Sequence, residues 1–104
     1  MAERLAVLLA LVPLAAAAAE PPAPRQAELL HRLRQDCGSC HGLTLKGGLG
    51  PPLLPASLDG QELESLAQII RKGVPGTPMP PWAFEIGPDE ALWLARQLKE
   101  GVRP

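Results

Sequence analysis

"DCGSCH", residues 36–41, holds both cysteines of the chain and one of its two histidines. Two thiols separated by two residues and followed by an imidazole suit three chemistries: a redox dithiol, part of a metal site, or the covalent anchor of a haem. The six residues leave all three open, and their surroundings have to discriminate.

The N-terminus points to export. "MAER" carries an arginine, Leu5 to Leu14 is an apolar run, and "AAAAAE" supplies small residues for cleavage after Ala19. This predicts a cleaved signal peptide over residues 1–19, a periplasmic address and no stable membrane insertion afterwards. The apolar stretch is short for a span, contains Pro13 and has no basic residue directly behind it. In an oxidising compartment an unprotected cysteine pair tends to close. A disulfide across "CGSC" would nevertheless enclose too small a loop to constrain much of the unfolded chain, so a structural staple is a poor use for this pair.

Composition limits the core. Of 104 residues, 13 are proline and 10 glycine, and Trp82, Phe84 and Trp93 are the three aromatics. A small domain with so little side-chain bulk needs help from something other than protein. Ten basic residues against eleven acidic ones give no footprint for nucleic acid.

Periodicity predicts three helices, long loops and no strand. "EPPAPRQ", residues 20–26, reads as a flexible lead to a domain over residues 27–104. Ala27, Leu30 and Leu33 fall at helical spacing in a helix from Arg25 to Asp36 that runs into Cys37. Residues 42–57 form a wrapping loop. A second helix has Asp59 as cap, Glu62 at the capping-box distance, a face of Leu63, Leu66, Ala67 and Ile70, and a stop at Gly73. The prolines of "VPGTPMPPW", residues 74–82, fix an extended, stiff segment. The last helix starts with Gly87 as cap and Pro88 at the first position, and buries Ala91, Leu94, Ala95 and Leu98.

In this setting Cys-x-x-Cys-His reads best as a c-type haem attachment run. Two thiols add across the vinyl groups and the next histidine lies under the iron. A thioredoxin-like dithiol wants a strand before the motif and a helix starting at it, whereas here a helix precedes and a glycine-rich loop follows. A zinc site wants four ligands, and beyond Cys37, Cys40 and His41 the mature chain adds only His31, on the polar side of its helix. An electron carrier needs a second axial ligand, and Met79 is the one methionine left after cleavage, set between prolines in "GTPMPPW". A proximal histidine needs its other ring nitrogen satisfied, and the rigid "GPPL", residues 50–53, offers a carbonyl. Trp82 can line the haem edge or simply pack. Lys46, Arg71 and Lys72 can face the haem or sit in solvent, the latter being the simpler account for the helix-end pair.

With "CGSCH", "GPPL", "IIRKG" and "GTPMPPW" in this order, the chain resembles the class I c-type cytochromes over nearly all of its mature length. The resemblance implies an all-α class I cytochrome c fold wrapped around one haem c, attached through Cys37 and Cys40 and ligated by His41 and Met79, with the Pro51 carbonyl on the proximal histidine. Leu33 stands where many members carry an aromatic residue, so its contact is expected with Trp93 or Leu94. "DCGSCHGLTLKGGLGPPL" and "PGTPMPPW" further resemble the small periplasmic NirC-type cytochromes. That likeness implies a monomeric, non-enzymatic electron carrier of denitrification with redox partner proteins, nitrite reductase among them. The alternatives it leaves are an accessory role in maturing that enzyme's haem and, outside the family, a periplasmic thiol oxidoreductase.

Overall fold

The computed structural model of the chain describes Ala6 and residues 20–102. The leader expected over residues 1–19 therefore lies outside the described residues apart from Ala6. None of the described helices is long and apolar enough to cross a membrane.

The first helical rod begins earlier than the pattern suggested. Helix α1 spans Ala23–Arg32 with Pro24 in its first turn, where a missing N–H costs nothing. The backbone N–H of Gln26 already donates to Pro22 O (2.9 Å), and its side chain donates to Pro21 O (2.8 Å). Pro21 is buried. Residues 23–26 of the expected flexible lead are thus helix, and Pro21 and Pro22 anchor its first turn. The buried positions are Leu29 and Leu33, four apart, and Leu30 packs against the core while Ala27 is exposed, so Leu30 and Leu33 face inward as expected and Leu29 takes the place expected of Ala27.

The rod does not stop at the motif. A π-helical turn, Leu33–Cys37, carries the chain into α2, Gly38–His41, with the Gly38 N–H donating five residues back to Leu33 O. The extra residue in that turn rotates the cysteines relative to α1, and such turns concentrate at functional sites.

After the loop, a short 3₁₀ turn at Pro55–Leu58 precedes α3, Leu63–Lys72. The expected cap at Asp59 is three residues too early. Asp59 leads into Gly60, whose φ is +77°, and Glu62 occupies the cap without a side-chain bond. Helix α4, Pro88–Glu100, starts as expected: Glu90 reaches back to accept the Gly87 N–H at 3.0 Å.

The core is small and centred on α4, which packs along α3 and touches the 3₁₀ turn and α1. Ala91, Trp93, Leu94, Ala95 and Leu98 are buried together with Leu29, Leu33, Leu58, Leu66, Ala67 and Ile86. Leu33, Trp93 and Leu94 all belong to this core. Among the described residues there is no strand.

Arg25 bolts the two terminal helices together. Its guanidinium donates to both Glu90 oxygens (2.5 and 3.1 Å), to Glu28 (2.9 Å) and to the Glu85 carbonyl (2.8 Å). That guanidinium holds the Glu90 carboxyl below its ordinary value, with the Gly87 N–H assisting and partial burial opposing. A depressed carboxyl stabilises the fold above the unfolded value of 4.5 and loses that contribution as pH falls through the folded value. Glu90→Gln should therefore lower stability by about 1 kcal/mol or less near pH 7. The gap from the parent should narrow as pH is lowered below 4.5, through the depressed folded value, measured by urea unfolding at neutral and at acid pH.

Candidate haem-binding site

Cys37 and Cys40 sit three apart on one helical rod, which brings both sulfurs to the same face. Both are free thiols and half-buried, and Cys37 packs against the core. Burial, and then the neighbouring Asp36 carboxylate, push the Cys37 thiol up to about 11. A dithiol oxidoreductase needs the opposite shift, which helix N-termini supply. Here the pair lies at the C-terminal end of its rod.

The carbonyls of that last turn are taken up by the loop that follows. Gly47 N–H donates to His41 O (2.8 Å) and Gly50 N–H to Cys40 O (2.8 Å), which satisfies acceptors that a helix end leaves open. Leu45 plugs the loop into the core at 2% exposure although its φ is +59°, a conformation that costs a non-glycine residue about 1 kcal/mol. Its burial offsets that cost. Nothing in the pattern of "GLTLKGG" marked Leu45 for this role.

The loop delivers Pro51 to the histidine. His41 Nδ1 lies 2.7 Å from Pro51 O. A carbonyl only accepts, so Nδ1 carries a proton, and in the neutral ring Nε2 is then the nitrogen with the lone pair. Gly50 lies flat on the same ring: a Cβ built there would come within 2.7 Å of His41 Cε1 and 2.8 Å of Nδ1. The sequence drew attention to the proline, but the glycine's seat depends on the fold of the whole loop.

Met79 lies in the proline segment, half-buried. Its N–H donates to Thr77 Oγ1 (3.3 Å), its carbonyl accepts from Val74 N–H (3.2 Å), and Thr77 Oγ1 donates to Val74 O (2.7 Å). Trp82 packs partly into the core and stacks on the exposed Phe84, centroids 5.9 Å apart at 21°. His31 and Lys46 are exposed, as is Lys72, whereas Arg71 is half-buried and donates through Nε to Ile86 O (3.0 Å). The solvated reading of the helix end thus holds for Lys72 and fails for Arg71.

The donor set suits a haem. An imidazole held through Nδ1 and a thioether are haem-iron ligands, and two same-face thiols, that of Cys37 pushed up by burial, suit covalent tethering better than thiolate chemistry. Among the described residues, no group of three or more His, Cys, Asp and Glu side chains gathers to hold a different metal.

Residues 24–96 match the family described as "Cytochrome C oxidase, cbb3-type, subunit III". The chain is 50% identical over 95 residues to cytochrome c55X of Paracoccus denitrificans, spanning 91% of this chain and 92% of that one. It is 57% identical over 81 residues to cytochrome c55X of Pseudomonas aeruginosa, spanning 78% and 68%. The solved c-type cytochrome NirC superposes with a TM-score of 0.78 at 55% identity over 81% of this chain and all of that one. The dihydro-heme d1 dehydrogenase NirN in complex with DHE superposes at 0.64 with 34% identity, over 77% of this chain but only 16% of that one.

Fold, motif and relatives together define a small all-α cytochrome c. The chain belongs to this c-type cytochrome family and, within it, to the NirC-like cytochromes c55X.

Gly50→Ala tests the histidine seat. The added methyl has to displace either the ring or the loop, and overpacking of this kind costs about 1–3 kcal/mol. Denaturant unfolding should show that loss, and imidazole ¹H–¹⁵N spectra should show the His41 Nδ1–H leaving its hydrogen bond.

Proposed function

We propose that the protein is a periplasmic, mono-haem electron carrier of denitrifying respiration that donates electrons to nitrite reductase, acts as a monomer and is not itself an enzyme. The observation that carries the reading is the His41 Nδ1 to Pro51 O hydrogen bond at 2.7 Å. It fixes the tautomer a proximal ligand needs, next to a pair of same-face thiols.

In this reading Cys37 and Cys40 would hold one haem c by thioether bonds, His41 Nε2 and the Met79 sulfur would be its iron ligands, and Trp82 would border the group. The haem supplies one-electron chemistry when bound. The protein's part is to keep both ligands in place through a redox cycle. Pro51 and Gly50 hold the imidazole plane, and the prolines around Met79 limit the conformations its sulfur can reach. With His41 and Met79 both assigned to the iron, the reading would leave no coordination position open for a substrate. The leader over residues 1–19 accounts for export, and "CGSC" then serves tethering instead of disulfide exchange.

A second reading has its own support in the likeness to the dihydro-heme d1 dehydrogenase in complex with DHE. A chain of this kind can serve the maturation of a reductase haem instead of supplying electrons to the finished enzyme. One preparation separates the two. Intact mass of the periplasmic protein should show a chain starting near Glu20 with one haem attached. Stopped-flow mixing of the reduced form with mature nitrite reductase should then show rapid, concentration-dependent reoxidation. Slow reoxidation, together with binding to the immature enzyme, would overturn the donor reading in favour of maturation.

A further inference from the structure

The C-terminal end of α3 does more than stop. A helix end leaves carbonyls open, and two of those on α3 capture the chain returning from the proline segment. Trp82 N–H donates to Ile70 O and Ala83 N–H to Arg71 O, each at 3.1 Å. Arg71 then reaches past them with its side chain, Nε donating to Ile86 O at 3.0 Å. The turn between these points is closed on itself, with Trp82 O accepting from both Glu85 and Ile86 N–H. On its far side α1 holds it as well: Arg25 donates to the Glu85 carbonyl at 2.8 Å, and Arg32 pairs with the Glu85 carboxylate.

Between this anchored turn and Met79 stand only Pro80 and Pro81, whose φ angles are locked. Position is therefore transmitted from Trp82 to Met79 with little slack. On the other side of Met79 the backbone is backed directly by Gly73. Its φ is +67°, and a Cβ there would lie 2.6 Å from Met79 O and 2.8 Å from Pro80 C. No larger residue permits that approach.

We propose that Arg71 is a positioning residue for Met79: by tying the 82–86 turn to the end of α3, with Arg25 and Arg32 securing it from α1, it keeps the methionine sulfur on the iron. The proposal rests on the reading of Met79 as the distal ligand. It predicts that Arg71 controls how often that ligand lets go, although Arg71 need not itself contact the haem.

An external ligand that binds only when Met79 has left reports this directly, because its apparent Kd is divided by the fraction of open protein. Imidazole titrated into the oxidised holoprotein is such a probe, read by loss of the weak sulfur-to-iron band at the red end of the spectrum. Arg71→Gln should lower the apparent Kd about tenfold, the worth of a hydrogen bond from a charged donor. Glu85→Gln, which loosens the α1 side and leaves α3 intact, should lower it by a smaller factor in the same direction. Arg34→Gln, at an exposed position of the first helical rod, should bind imidazole as the parent does. Should Arg71→Gln lose haem or fail to fold, Arg71→Lys decides: it keeps the charge but lacks the directed Nε–H, and should still lower the Kd. Parent-like imidazole binding in folded Arg71 variants whose Trp82 and Ala83 amides exchange faster overturns the proposal. Failure of the distal-ligand reading is separately visible, since Met79→Ala would then keep the red band.

Discussion

The His41 to Pro51 hydrogen bond is the contact on which the rest of the site depends. It joins the end of the first helical rod to a loop with little regular structure of its own, and it does so through the one side chain whose protonation has to be fixed. For Pro51 to arrive there, Gly47 and Gly50 must dock on the carbonyls of His41 and Cys40, Leu45 must enter the core, and position 50 must lack a side chain. The loop spends its backbone hydrogen bonds on the motif, which explains why so few residues can hold an imidazole plane so firmly.

The Met79 segment is organised by a related device. The proximal loop caps the helix end that carries the motif, and the segment after Met79 caps the end of α3. Proline-rich chain has few N–H groups to offer, so those it keeps, at Trp82 and Ala83, carry the anchoring, and arginine side chains supply the remaining donors. A protein with three aromatic residues holds its His41 and Met79 segments by backbone hydrogen bonds at helix ends, with side-chain packing concentrated on α4.

Much of this was legible before the fold. The α4 boundary followed from Gly-Pro-Asp-Glu, where cap, proline and acidic first turn agree, and its buried face followed from periodicity. The stop of α3 at Gly73 and its Leu66–Ala67 stripe were equally plain. The start of α3 misled because Asp59 and Glu62 imitate a capping box while Gly60 turns the chain between them. The lead before α1 looked too rich in proline for helix, yet Pro24 falls in the first turn, where helices accept it. The π turn at Leu33–Cys37 leaves no mark in a 3.6-residue pattern. At the site, residue chemistry singled out Cys37, Cys40, His41, Pro51 and Met79. Leu45, and the contacts that Gly50, Gly73 and Arg71 make around the site, escaped because each acts between segments distant in sequence or through a backbone angle, and composition carries neither.

The central claim is that the CGSCH motif and the TPMPPW segment are two halves of one haem site. Proton NMR of the reduced holoprotein, labelled with [¹³C-methyl]methionine, tests it most directly, because a methyl group held over the haem plane is strongly shielded by the ring current. The account predicts one Met79 methyl resonance far upfield of the ordinary methionine range, lost in Met79→Ala. A Met79 methyl at an ordinary shift in haem-loaded protein would contradict it.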